Sequence, residues 1–258
     1  MKKSILFLAS IALLFTVISC NKSNANPEVA DESVSTQVDE SGKKKQVNLI
    51  PSVLFYDEGS LWSENSDGEL VRYTVLTVGQ ALNAYPYVDG SEIEEAEAKS
   101  MKKSGQKGED VYLKVRYDNK DYWILKDLVI VNAYPSVVIE SGLNYTSDKI
   151  DGVSSVSVPV GKIVAVHNDY TPKEDDGDNV ACYKVTWRKG SERSYRGVYL
   201  KKDMLTTNPD DVLAQRILNK LAKKSEITDE VVIAEEFENL QELDLSSYYK
   251  DLVSDVLY

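Results

Sequence analysis

The sequence Trp-Ile-Leu-Lys-Asp-Leu-Val at residues 123–129 returns in related form as Tyr-Leu-Lys-Lys-Asp-Met-Leu at residues 199–205. Two further matches precede it in the same order: Leu-Thr-Val-Gly at 76–79 with Val-Pro-Val-Gly at 158–161, and Lys-Val-Arg-Tyr at 114–117 with Lys-Val-Thr-Trp at 184–187. The spacing between matches differs only where a loop is expected. The repeat therefore predicts two copies of one small domain, and not a solenoid, which needs more copies.

Both copies have the residue pattern of β-strands. From Val47 to about Thr207, short runs rich in Val, Ile, Tyr and Thr alternate with turn residues. Val115 and Val185 occupy equivalent places in the repeat, so we expect both to be buried at the centre of their domains. The first copy also carries an insertion, acidic at residues 92–99 and basic at 102–108. A short helix is one interpretation of it, and a mobile hairpin tip is the favoured one.

A strand of the form Lys-Val-x-aromatic, a turn, and then aromatic-aliphatic-x-x-Asp-aliphatic-aliphatic resembles the end of a bacterial Src-homology-3-like domain. Leu-Asn-Tyr-Thr-Ser at residues 143–147 resembles the opening of the same family, while Tyr122 and Val198 stand where the family has glycine. The resemblance implies a mainly β fold with two small Src-homology-3-like barrels in tandem, at residues 47–132 and 133–207. A short α-helical C-terminal segment, residues 208–258, would follow them.

The same resemblance implies grooves lined by aromatic side chains, which suit extended peptides. In the first copy the groove would involve Tyr56, Trp62 and Trp123, and in the second Tyr145 and Tyr199. A second interpretation stays open for all five residues, in which they pack in the core or along a hairpin.

The N-terminus has the order of a secretory signal. Lys2 and Lys3 precede an apolar run at residues 5–18, which is too short to cross a bilayer and ends near Cys20. This layout resembles a bacterial lipoprotein signal, which implies removal of residues 1–19 and attachment of a diacylglycerol to Cys20. Ordinary secretion with cleavage nearby is the alternative. Residues 20–46 are polar and lack a hydrophobic period, so they are expected to form a disordered tether.

The C-terminal fifty residues have helix signals. Asn-Pro-Asp-Asp at residues 208–211 is a strong helix start, followed by apolar residues at Leu213, Ile217 and Leu221. Further starts occur at residues 228–230 and 246–247. Because helices this short are marginal alone, we expect them to dock on the second barrel.

The composition and motifs argue against several functions. A formal net charge of −12 disfavours nucleic acid as a partner. The sequence has no phosphate loop and no paired-histidine metal motif, and the acidic loop at 173–179 has an incomplete calcium pattern. Nothing couples Cys182 to the one histidine, His167, so Cys182 is expected to be a small buried side chain. The sequence therefore predicts no catalytic residue, no metal, no cofactor and no enzymatic activity.

These expectations together predict a lipid-anchored, non-catalytic binding protein of the cell envelope, periplasmic or surface-exposed. It would contact the membrane through its N-terminal lipid and recognise peptidoglycan peptide or an envelope protein through its aromatic grooves. The alternative is a structural envelope scaffold in which the barrels pack on each other and leave no ligand groove.

Overall fold

The computed structural model describes residues 34–38, 44–86, 96–103, 106–149, 151–175, 178–191, 193–222 and 230–257. The predicted signal peptide, residues 1–19, and the predicted lipid attachment residue Cys20 lie outside these ranges. The described chain is mainly β, with antiparallel sheets that include a half-barrel and with three helices. The predicted mainly β class is therefore confirmed.

Two strands lie within the stretch that was expected to be a disordered tether. They are β1 (Val34–Val38) and β2 (Lys44–Asn48), which pair antiparallel with each other. The sequence of β1, Val-Ser-Thr-Gln-Val, alternates β-branched and polar residues, which is the period of a strand. The strand pattern of β1 covers only five residues, whereas the polar composition that predicts a tether extends over all of residues 20–46.

The first sheet contains one copy of the repeat. Its strands are β3 (Ile50–Leu54), β4 (Glu58–Glu64), β5 (Leu70–Thr77), β6 (Ala81–Ala84), β7 (Ala98–Met101), β8 (Asp110–Tyr117), β9 (Lys120–Leu125) and β10 (Val129–Val131). They lie in the order β10-β3-β6-β8-β9-β4-β5, and β7 pairs with β8 beside this path.

The second sheet contains the other copy. Its strands are β11 (Ala133–Val138), β12 (Gly142–Tyr145), β13 (Val153–Val158), β14 (Ile163–His167), β15 (Cys182–Lys189), β16 (Arg193–Lys201) and β17 (Leu205–Thr206). Their order, β17-β11-β14-β15-β16-β12-β13, repeats that of the first sheet strand for strand once β7 is set aside. A 3-10 turn precedes the last strand in both copies, at Lys126–Leu128 and Lys202–Met204.

Each sheet encloses its own hydrophobic core. Val115 packs with Leu61, Leu113 and Ile124 in the first, and Val185 packs with other aliphatic residues and Trp187 in the second. Both valines are 0 % exposed, as their equivalent places in the repeat predict.

The repeated glycines of the Val-Gly turns make close contacts. Gly79 (φ +78°) and Gly161 (φ +76°) occupy equivalent turns in the left-handed region. A Cβ at Gly79 would lie 2.8 Å from Cγ2 of Ile163 in the second sheet, and one at Gly161 would lie 3.2 Å from Oε1 of Gln215. Glycine is therefore needed both for the turn and for the close approach of the neighbouring element.

The C-terminal segment forms α1 (Pro209–Ala222), α2 (Glu230–Gln241) and α3 (Ser247–Leu257). Val212 and Ile217 of α1 share one hydrophobic cluster with Val137 and Ile163 of the second sheet and Tyr249 of α3. The helices therefore dock on the second sheet by their apolar sides.

Helix α1 also contacts the first sheet. The Arg216 guanidinium donates from Nη2 to Gln80 Oε1 at 2.7 Å and to Thr77 Oγ1 at 3.3 Å. One helix thus contacts both copies of the repeat.

A buried carboxylate fixes the start of α1. Asp211 is 0 % exposed, and its two oxygens accept hydrogen bonds from Thr206 Oγ1 at 2.6 Å and from the backbone N–H of Ser246 at 2.9 Å. It therefore joins the end of β17, the start of α1 and the residue before α3.

We predict that Asp211→Ala lowers the free energy of unfolding by about 2–3 kcal/mol, because the Thr206 hydroxyl and the Ser246 N–H lose a charged acceptor. Urea denaturation monitored by circular dichroism measures this. The exposed Glu238 on α2 supplies the control, Glu238→Ala, which should change the free energy little. An equal effect of the two substitutions would contradict the structural role of Asp211.

Candidate functional site

The two tryptophans of the first predicted groove form a cross-strand pair. Trp62 of β4 lies directly opposite Trp123 of β9. They pack with Leu70, Met101 and Tyr112 in a cluster separate from the core of the first sheet. Trp123 is 9 % exposed and Trp62 is half-buried, so most of the pair's surface is covered.

The two tyrosines of the second predicted groove form the equivalent pair. Tyr145 of β12 lies opposite Tyr199 of β16. They pack with Val180 and Cys182. Strands β4 and β12 occupy the same place in their sheets, as do β9 and β16. Each copy therefore has two aromatic residues directly opposite each other on neighbouring strands.

Tyr56 lies apart from both pairs, at the contact between the two sheets. Its ring packs against a buried cluster that includes Phe55, Ala133 and Ala165. The Arg188 guanidinium carbon lies 3.7 Å from the centre of the Tyr56 ring, a cation–π contact between the copies. We call this contact region the seam. The structure thus brings together four of the five predicted groove residues, in two pairs, and places the fifth at the seam.

Strand β7 covers part of the Trp62–Trp123 pair. It belongs to the insertion that was expected to be a mobile hairpin tip, and its pairing with β8 gives it a fixed register. The Lys103 ammonium lies 5.0 Å from the centre of the Trp62 ring and 5.9 Å from that of Tyr112. The Lys99 ammonium lies 5.8 Å from the Trp123 ring and 3.3 Å from Glu64 Oε1.

A cleft opens beside this cover, with a volume of about 450 Å³. Its size falls in the range of small-ligand sites. The cleft is lined by Gly68, Glu69, Lys99, Ser100, Met101, Lys102, Lys103, Gln106 and Glu109. The sequence did not predict this cleft. Its only indication there is the basic half of the insertion, and the pairing of β7 with β8 cannot be inferred from the sequence.

The loop between β14 and β15 contributes residues that surround the Tyr145–Tyr199 pair of the second copy. The Tyr170 ring meets Tyr199 edge-on, with centroids 5.2 Å apart. The Tyr170 hydroxyl donates to Asp148 Oδ2 at 3.1 Å, and the Lys173 ammonium lies 2.8 Å from the same oxygen. These two groups, Lys173 first, hold the pKa of Asp148 below its usual range.

Three polar groups of the second sheet have the order of a hydroxyl–imidazole–carboxylate triad. His167 Nε2 lies 2.9 Å from Thr186 Oγ1, and Nδ1 lies 3.8 Å from Asp169 Oδ1. Burial lowers the pKa of His167. Thr186 is 1 % exposed, however, so its hydroxyl has no room to meet a substrate.

The free cysteine is buried, as the sequence predicts. Cys182 is 0 % exposed, and burial raises the pKa of its thiol to about 11. The neutral thiol is a poor nucleophile and a poor metal ligand. Among the residues that the structure describes, no cluster of His, Cys, Asp or Glu is suited to a metal ion. Within the same residues, no helix is long and apolar enough to span a bilayer.

No protein-family model matches the chain, and no curated protein matches it. Solved structures that match include NlpC2 from Trichomonas vaginalis, at 16 % identity over 67 % of this chain, and NlpC1 from the same organism, at 16 % identity over 71 %. The match spans 56 % of the length of each of those chains, with a TM-score of 0.23 in both cases.

The expectation that the chain is not an enzyme is corrected by these matches. NlpC proteins are typically peptidoglycan hydrolases, so the sequence-based exclusion of catalysis is contradicted and we withdraw it. At a TM-score of 0.23 the likeness carries no fold or activity over to this chain.

We predict that Asp148→Asn lowers the free energy of unfolding slightly near pH 7, since it removes the ion pair with Lys173, which is half exposed and therefore screened. Because the carboxyl pKa is lowered in the folded chain, this stabilisation is present above the usual Asp value, near pH 4, and is lost as the pH falls through the folded value. Urea denaturation at several pH values tests this. The exposed Asp151 gives the control, Asp151→Asn, and a deficit of Asp148→Asn that does not change with pH would contradict the assignment.

Proposed function

We propose that the chain is a lipoprotein of the bacterial cell envelope, anchored through Cys20 after removal of residues 1–19. Its two sheets are Src-homology-3-like barrels in tandem, residues 47–132 and 133–207. The shared strand order and the 3-10 turn before each last strand support this assignment. The helices of residues 208–258 complete the second barrel.

The proposed role is recognition of an extended segment of cell-wall peptide or of an envelope protein, at the cleft of the first barrel. The single observation that carries this proposal is the cleft of about 450 Å³ beside the Trp62–Trp123 pair. The lysine and glutamate side chains of the cleft offer charged contacts to a peptide, and Met101, which packs with the tryptophan pair, offers an apolar one.

The two barrels would differ in their roles. In the second barrel Tyr170 packs edge-on against Tyr199, and Tyr170 and Lys173 both contact Asp148, so the chain itself supplies the ring and ammonium contacts near the aromatic pair. The second barrel would then support the first, through the seam and through α1.

A second candidate function is a structural scaffold without a ligand. The observation that favours it is the seam, where Phe55, Ala133 and Ala165 are each under 5 % exposed and Arg188 stacks on Tyr56. The two candidates differ in whether the cleft binds anything.

We predict that the chain co-sediments with purified peptidoglycan and that filling the cleft abolishes this. Ser100→Trp places a large ring at a residue that lines the cleft, and Ser155→Trp, on the exposed side of β13, is the matched control. Sedimented protein should fall at least about tenfold for Ser100→Trp alone, since a filled pocket removes the contact surface. Absence of sedimentation in the wild type, or equal loss in both variants, would contradict wall binding and favour the scaffold.

The anchor has its own test. Mass spectrometry of the protein from membranes should find a chain that begins at Cys20 and carries lipid, and Cys20→Ser should release it from the membrane fraction. An unmodified chain that begins beyond Cys20 would refute the proposed anchor.

A further inference from the structure

The two copies of the repeat differ in whether a lysine ammonium near the aromatic pair has a carboxylate partner. In each copy, the segment between the fourth and fifth repeated strands brings lysine side chains to the region of the aromatic pair. In the second copy the lysine is Lys173, whose ammonium lies 2.8 Å from Asp148 Oδ2. The first copy has two such lysines. The Lys99 ammonium lies 3.3 Å from Glu64 Oε1, whereas among the described residues no carboxylate lies within ion-pair distance of the Lys103 ammonium.

The sequence shows where the carboxylate of the first copy is missing. Asp148 comes three residues after Tyr145, and the residue three positions after the equivalent Trp62 is Asn65. The Asn65 Oδ1 atom accepts hydrogen bonds from the backbone N–H groups of Asp67, at 3.0 Å, and Glu69, at 2.8 Å. At this sequence position of the repeat the first copy has a neutral amide that closes its own turn, and the second copy has an anion.

The surroundings of Lys103 favour an incoming anion. The side chain is half-buried against the rings of Trp62 and Tyr112, which removes part of its hydration. Lys102 lines the same cleft and adds a second cation that attracts an anion locally, whereas Lys99, which also lines it, is paired with Glu64. Beneath them the Tyr112 hydroxyl is buried without a hydrogen-bond partner.

Two carboxylates, Glu69 and Glu109, also line the cleft. A larger polyanion would be repelled by these two carboxylates, so the site favours a small anion that contacts Lys103. A single carboxylate at the end of an extended peptide satisfies this condition, and it is the group that Asp148 supplies within the second copy.

We propose that the cleft of the first copy binds the free C-terminal carboxylate of a peptide, with Lys103 as its ion-pair partner in the place that Lys173 holds towards Asp148. This inference rests on the proposed function, since it names the chemical class of ligand for the same cleft.

The test compares N-acetyl-alanyl-alanine with its C-terminal amide, by tryptophan fluorescence titration of the full chain in detergent. The acid should bind about tenfold more tightly than the amide, the difference expected for a hydrogen-bonded charge. Lys103→Gln should reduce acid binding to the level of the amide. The exposed Lys120 gives the control, Lys120→Gln, which should leave the preference unchanged.

Asn65→Asp provides a second, independent variant. An aspartate can accept the same two backbone hydrogen bonds, so the turn is retained, and it gives the first copy the carboxylate of the second. It should pair with Lys103 and remove the preference for the acid without lowering Tm.

The outcomes separate this inference from the proposed function. Equal binding of acid and amide, binding of neither, or a preference that survives Lys103→Gln would overturn the inference, while co-sedimentation with peptidoglycan still upheld wall binding. A Lys103-dependent preference for the acid without co-sedimentation would uphold the inference and refute wall binding.

Discussion

Each sheet carries two large aromatic side chains facing each other across neighbouring strands, and their apolar surface has to be covered. Trp62 with Trp123 and Tyr145 with Tyr199 lie outside the main cores of their sheets. Burying such rings is worth several kcal/mol at about 25 cal/mol per Å² of apolar area. The segment between the fourth and fifth repeated strands meets this requirement in both copies, by a strand with lysines in one and by Tyr170 and Val180 in the other. The cleft lies beside the first of these covers and is lined in part by it.

The remaining apolar surface is covered by contacts between the copies and with the C-terminal helices. Phe55 and Tyr56 meet Ala165 and Arg188 at the seam, and α1 lies on Val137 and Ile163. Gly79 allows the turn of the first sheet to approach Ile163, so one repeated glycine serves the turn and the contact together. The second copy is therefore enclosed by the first on one side and by the helices on another.

The strand composition, the duplication and the helix starts could all be predicted, because each depends on local sequence. Val115 and Val185 could be placed in the two cores because the repeat aligns them. The pairing of β7 could not be predicted, since Ala-Lys-Ser-Met has no strand period and its position depends on β8. Tyr56 was assigned to a groove because sequence gives no information on which aromatic residue faces the other copy. The cleft and the uncompensated Lys103 were missed for the same reason: both depend on contacts between segments distant in sequence.

The contact of Arg216 with Gln80 and Thr77 joins the first sheet to a helix that follows both sheets in the chain. Synthesis proceeds from the N-terminus, so the residues of both sheets are made before those of α1. Until then their mutual orientation depends on the seam and the single residue between β10 and β11. The last fifty residues therefore add a further connection between the two sheets, and a chain cut short before residue 209 would have only the contacts between the sheets and the linking residue to fix their orientation.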